Sequence, residues 1–208
     1  EMLRSLVGSE MCIRDRVYTS PLMFIRAYQQ VSEGRELRWH HSWVSLDSIS
    51  PDLPLAVMSC EDQNFLHHNG FDWEAIKKVV EERQEGERFR GGSTISQQTA
   101  KNVFLFPTSS TGKLAWVRKG AEAYFTVLIE FFWDKHRIME VYLNTIEMGD
   151  GIYGAQAVAQ EHFGCDAKNL TRNQCAMIAI SLPNPLRMNS AAPTVSYTHL
   201  TLPTILRV

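Results

Sequence analysis

Only four cysteines occur in the 208 residues, at Cys12, Cys60, Cys165 and Cys175. No two form a CxxC pair, and none stands at metal-ligand spacing from a histidine, so a structural zinc site and a disulfide framework are both excluded. Isolated buried thiols are what remain. Charge of one sign is lacking too: 21 Lys and Arg against 23 Asp and Glu leave a net charge of −2. Without an overall cationic field, nucleic acid is not a partner, and any anion site must be built locally. The longest apolar run, from Ala123 to Trp133, is interrupted by Glu130. It reaches about half of the roughly 20 residues a membrane-spanning helix needs. A GxxxxGK[ST] phosphate loop, internal repeats and low-complexity tracts are likewise missing.

The 44% of apolar residues suffices for one core. Both ends stand apart from it. "RSLVGSEMCIRDR" and "VSYTHLTLPT" carry no period continuous with their neighbours and resemble translated sequencing-adaptor read-through. Residues 1–16 and 195–208 therefore read as non-native tails around a C-terminally truncated domain at 17–194, with an anchor segment expected upstream of residue 17.

Within that domain the signals are helical. Ser50 and Pro51 read as N-cap and first helical residue, with Leu53, Val57 and Cys60 at helical spacing. Asp72 caps "WEAIKKVVEERQ", with Ile76 and Val79/Val80 inward. Ala121, Phe125, Leu128 and Phe132 recur at steps of four, three and four, which marks a core helix from Val117 to Trp133. Another helix runs from Lys135 to about Thr145, and glycines in "EMGDGIYG" turn the chain into "AQAVAQEHFG", capped by Gly164. Thr171 and Gln174 make a capping box before "CAMIAISL", which Pro183 and Pro185 close. No segment reads as a strand ladder, so the class is mainly α.

Four polar clusters interrupt the pattern. Glu61 and Asp62 follow an apolar helix, so Glu61 is either a solvated helix end or a desolvated carboxyl with the raised pKa of a base. Adjacent His67 and His68 point apart and make no paired metal site. In "RGGSTISQQTAKN", Gly91 and Gly92 allow close backbone approach, and Ser93 or Thr94 caps a helix. Thr94, Gln98 and Lys101 then share a face, with Gln97 beside them; this is a solvated stripe or a sugar-phosphate site. Arg118 and Glu122, four apart, are either a surface ion pair or a carboxylate projecting into a cleft. Lys135 and Arg137 are a helix-start charge cluster or further phosphate contacts.

Taken in order, these clusters resemble the glycosyltransferase domain of the peptidoglycan polymerases, specifically the monofunctional biosynthetic peptidoglycan transglycosylases of glycosyltransferase family 51. The matching patterns are E-D-x-x-F-x-x-H-x-G at Glu61, Asp62, Phe65, His68 and Gly70; G-G-S-T-I-x-Q-Q from Gly91 to Gln98; and R-K-x-x-E from Arg118 to Glu122. K-x-x-I-x-x-x-Y-L-N from Lys135 to Asn144 follows, then Gly149, Gly154, "HFG" and "LPNP". The chain departs from the pattern at "PTSSTGKLAW", where Lys113 stands in for an arginine as phosphate contact, and at Ser96, where threonine is common.

The resemblance implies a lysozyme-like helical large lobe with a smaller membrane-facing jaw. It implies an enzyme that joins lipid-linked disaccharide-peptide (lipid II) into β-1,4 glycan strands, with inversion and release of undecaprenyl pyrophosphate. Glu61 would be the general base and Glu122 the second essential carboxylate. Asp62, Phe65, His68, Ser93, Thr94, Gln97, Gln98, Lys101, Lys113, Arg118, Lys119, Lys135, Arg137 and Asn144 would bind substrate. The chemistry of the residues agrees: pyrophosphate leaves without protonation and needs positive charge, so one base with several cations is the expected equipment. Mg²⁺ or Mn²⁺ is an implied cofactor, although the sequence shows no carboxylate cage. Implied surroundings are lipid II and the growing strand, the outer, periplasmic face of the bacterial cytoplasmic membrane, and cell-division and penicillin-binding proteins. A lytic enzyme on a lysozyme-like fold, or a scaffold that only binds the lipid, is the competing reading.

Overall fold

A computed structural model of the chain describes residues 16–77, 92–107 and 113–192, with Lys113 and Leu114 described by backbone alone. Among the described residues the fold is mainly helical, as the patterning requires. Helix α1 (Pro21–Ser32) opens on Ser20, whose hydroxyl accepts the Met23 N–H, with proline at the first turn. The same Ser-Pro signal occurs at Ser50-Pro51, but α2 (Asp52–Glu61) begins one residue later than expected and carries no side-chain cap bond. Then come α3 (Ile95–Phe104), α4 (Lys113–Phe132), α5 (Lys135–Thr145), α6 (Ala155–Phe163) and α7 (Arg172–Ser181). Asp72 does cap a helical turn at 73–77, accepting the Ala75 N–H at 2.8 Å; Val79 and Val80 lie outside the described residues.

The core lies among α2, α5, α6 and α7, where Leu53, Val57, Ile138, Tyr142, Leu143, Val158 and Ile178 are fully enclosed. Helix α5 is the core helix. The expected stripe on α4 is not: Phe132 is exposed, and the residues α4 buries are Glu122, Thr126 and Ile129. Its aromatic side faces outward, with Trp116 80% and Phe131 79% exposed. Helix α3 sits between α4 and α5. The thiols also differ from expectation, since Cys60 is exposed and only Cys175 is buried; Cys12 lies outside the described residues.

A small sheet, unread in the sequence, joins these helices. Strand β1 (His40–His41) pairs in parallel with β3 (Ile152–Tyr153), and β2 (Glu147–Gly149) pairs antiparallel on its other side with a register shift. Strands of two or three residues have no alternation to detect. At the exit of β3, Gly154 adopts φ 83° and ψ 167°, a region essentially reserved for glycine. A Cβ there would stand 2.7 Å from the Asn144 carbonyl oxygen.

Gly154→Ala is therefore expected to destabilise the fold by about 1–3 kcal/mol or more, read as a lowered urea midpoint at unchanged m-value.

Candidate active site

The T-I-S-Q sequence closes the N-terminus of α3 on itself. Thr94 is the N-cap, its hydroxyl accepting the Gln97 N–H while the Gln97 side chain accepts the Thr94 N–H. The Thr94 hydroxyl also donates to the Gly70 carbonyl at 2.6 Å. The next backbone donor, Ile95 N–H, is accepted by Asp62 at 2.9 Å, which joins the end of α2 to the start of α3. His68 donates to the same carboxylate. Because its Nδ1 accepts the Gly70 N–H at 3.1 Å, its proton sits on Nε2, 2.9 Å from Asp62.

This frame presents Glu61. Burial pushes its pKa up, opposed by the hydrogen bond from Gln98 and by the charge of Lys101. Gln98 Nε2 donates to Glu61 Oε2 at 2.7 Å, and the enclosed Tyr142 hydroxyl donates to Gln98 Oε1 at 3.2 Å. Tyr142 thus fixes which end of the amide faces the carboxylate. Its part was legible only as the tyrosine of Y-L-N, with nothing in the sequence to link it to Gln98.

Gln98 also lines a cavity of about 510 Å³ together with Lys101, Asn102, Arg118 and, from α1 and β2, Arg26, Gln29 and Glu147. Burial lowers the Lys101 pKa, an effect countered by Glu122 and Glu61 and reinforced by Arg118 and Lys119. The cation that pairs with buried Glu122 is Lys119, three residues before it, and not Arg118; Lys119 also reaches Ser93 at 3.5 Å. Arg118 is left facing the cavity, with its buried Nε lacking a hydrogen-bond partner.

Several expected contacts lie elsewhere. Phe65 is enclosed in the core with Lys135 4.7 Å above its ring, and Lys135 pairs with Glu130 at 2.7 Å. Arg137 pairs with Glu140 and stacks over Trp43 and Trp133. Neither cation lines the cavity. Asn144 is wholly enclosed, bonding both backbone groups of Val44 and the Glu140 carbonyl. Asp62, His68, Thr94 and Gln97 likewise spend their polar groups on the frame. The contacts of all eight are internal. Gly91 and the Lys113 side chain lie outside the described residues. Among the described residues no group of three His, Cys, Asp or Glu is placed to hold a metal ion.

Residues 29–201 match the transglycosylase family. The chain is 59% identical to the biosynthetic peptidoglycan transglycosylase of Bacteroides thetaiotaomicron, over 86% of this chain and 70% of that one. It is 54% identical to the protein of that name from Caulobacter vibrioides, over 84% and 71%. With the one from Bdellovibrio bacteriovorus it shares 49%, over 84% and 68%. The chain belongs to the transglycosylase family. Within a transglycosylase, a half-buried carboxylate of raised proton affinity beside a cation-lined cavity is suited to take a proton from a hydroxyl while an anionic group departs.

Two outcomes follow from Glu61. Its folded pKa lies above the unfolded value, so its contribution to stability is full below the unfolded pKa and is lost as pH rises through the folded one. Glu61→Gln should therefore melt higher than wild type at neutral pH, with the gain vanishing toward about pH 4. Removing the Gln98 hydrogen bond in Gln98→Leu should raise the Glu61 pKa further, and the acid limb of a pH–activity profile should move to higher pH.

Proposed function

We propose that this peptidoglycan glycosyltransferase polymerises lipid-linked disaccharide-peptide into β-1,4 glycan, with Glu61 as the base. The observation that carries this reading is the position of Gln98. Its amide holds the Glu61 carboxylate by one end and lines the cavity shared by Lys101 and Arg118. Glu61 accepts the proton of the acceptor sugar's 4-hydroxyl as the oxygen attacks the anomeric carbon. The bond from that carbon to the lipid pyrophosphate breaks, its electron pair leaves with the pyrophosphate, and the centre inverts. Lys101 and Arg118 offset the departing charge, so no acid is needed at the leaving oxygen. Glu122 holds Lys119 and, through its charge, opposes the lowering of the Lys101 pKa by burial.

The cation excess supports polymerisation over cleavage. A hydrolase acting on finished glycan expels an alkoxide and requires a second carboxyl aimed at the bond as acid, whereas Glu122 is buried against Lys119. The outward aromatics of α4, with Phe104 and Phe106 at the end of α3, suit a domain working against a bilayer that retains the lipid tail. Among the described residues no helix is long and apolar enough to cross a membrane. The working place inferred is the outer face of the cytoplasmic membrane, with the other enzymes of wall synthesis and division, penicillin-binding proteins among them, as neighbours.

The test is incubation with lipid-linked disaccharide-peptide and separation of the products. Wild type should yield glycan strands and release no soluble fragments from finished glycan. Glu61→Gln should lower the rate by at least about 100-fold. Soluble fragments from finished glycan, or undiminished polymer from Glu61→Gln, would overturn the assignment.

A further inference from the structure

We propose that Arg26 on α1 is a further substrate-binding residue, held rigid by Glu147 so that its remaining N–H groups take an oxyanion of the substrate in the cavity it lines with Lys101 and Arg118. The proposal rests on the reading of the cavity as a substrate site. Arg26 Nε donates to Glu147 Oε1 at 2.9 Å and Nη2 to Oε2 at 3.0 Å, a two-pronged pair, while Nη1 donates to Gln29 Oε1 at 3.1 Å. A guanidinium has five N–H donors. These bonds use three of them. The side chain is 29% exposed against 8% for its partner, and Arg26, Gln29 and Glu147 all line the cavity.

The arrangement is hard to explain as a stabilising device. Glu147 is buried, its pKa pushed up by desolvation in spite of Arg26, and a buried ion pair is commonly replaceable by apolar residues without loss. What the pair does provide is preorganisation. A free arginine loses about 2 kcal/mol of rotamer entropy when a ligand fixes it, and Glu147 has already fixed this one. Sequence reading passed over Arg26 because it lies outside every motif, 35 residues before Glu61. Two parts of the proposed substrate carry oxyanions, the pyrophosphate and the peptide carboxylates.

The experiment compares the full chain with Arg26→Lys, which keeps the charge and loses the fork, and with Arg26→Gln/Glu147→Gln, which leaves no buried charge unpaired. One readout is calorimetric titration with inorganic pyrophosphate. The other is kinetics on lipid-linked disaccharide-peptide with its peptide carboxylates free or amidated. The expected result is a KM raised about tenfold in both variants with kcat little changed. Pyrophosphate binding weakened about tenfold assigns the oxyanion to the leaving group. Unchanged pyrophosphate binding, with a KM defect that disappears on amidated substrate, assigns it to the peptide. Unchanged KM and unchanged pyrophosphate affinity in folded variants overturn the proposal. A fall in kcat and melting temperature at unchanged KM also overturns it, because that marks Arg26 as a clamp on α1 alone. Arg26-dependent pyrophosphate binding in a wild-type chain that makes no polymer would remove the proposed reaction and leave the Arg26 site standing.

Discussion

Asp62, a buried carboxylate, accepts the Ile95 N–H and the His68 Nε2–H, and these two bonds set Glu61 beside the α3 residues Gln98 and Lys101. One bond ties the end of α2 to the positive end of α3, where a carboxylate is favoured by the unsatisfied N–H groups and the helix dipole. The other runs through the His68 ring to the Gly70 amide, and Gly70 in turn accepts the Thr94 hydroxyl. The loop after Glu61 is thereby closed onto the same helix that carries Gln98 and Lys101. Without this closure Glu61 would end a helix in solvent. With it, the Glu61 carboxylate is held 2.7 Å from an amide whose orientation Tyr142 sets.

That closure has an electrostatic cost, and the cost fits the proposed chemistry. Glu61 and Lys101 are both pushed by burial toward their neutral forms, and each is held charged in part by the other. Glu147, which lines the same cavity, shows the same opposition. A solvated arrangement of these charges would be more comfortable for the fold and less useful, since water would have to reorganise as charge moved from hydroxyl to pyrophosphate.

Much of this was legible where chemistry imposes a fixed spacing. The α5 boundaries, the Thr171 capping box and the Gly164 cap follow from local backbone demands, and the structure has them as read. The proximity of Glu61 to Gln98 was readable only as two motifs, because the bond between them spans 37 residues and is made by the fold. Motif membership also failed to separate contact from support. Asn144 and Phe65 are as strongly patterned as Gln98 and Lys101, yet they are enclosed and bonded or packed internally. Arg26 and the sheet were missed for the opposite reason: a lone arginine on a helix and strands of two residues carry no repeat.

The misreading of α4 shows where periodicity stops being informative. Steps of four and three among Ala121, Phe125, Leu128 and Phe132 establish that an apolar side exists, but not what medium meets it. In the fold, α4 turns Glu122, Thr126 and Ile129 inward against α3, where Glu122 acts on Lys101, and sends Trp116, Tyr124 and Phe131 outward. A globular core would reverse that choice. The inversion fits the proposed substrate, an anionic leaving group carried on a lipid: the charged side of one helix would serve the pyrophosphate while its aromatic side would meet the phase that holds the tail. On this reading the same 20 residues of α4 link the lipid surface to the reaction cavity. A charge placed on the outward side would then disturb delivery of substrate, whereas one removed from the inward side would disturb the chemical step.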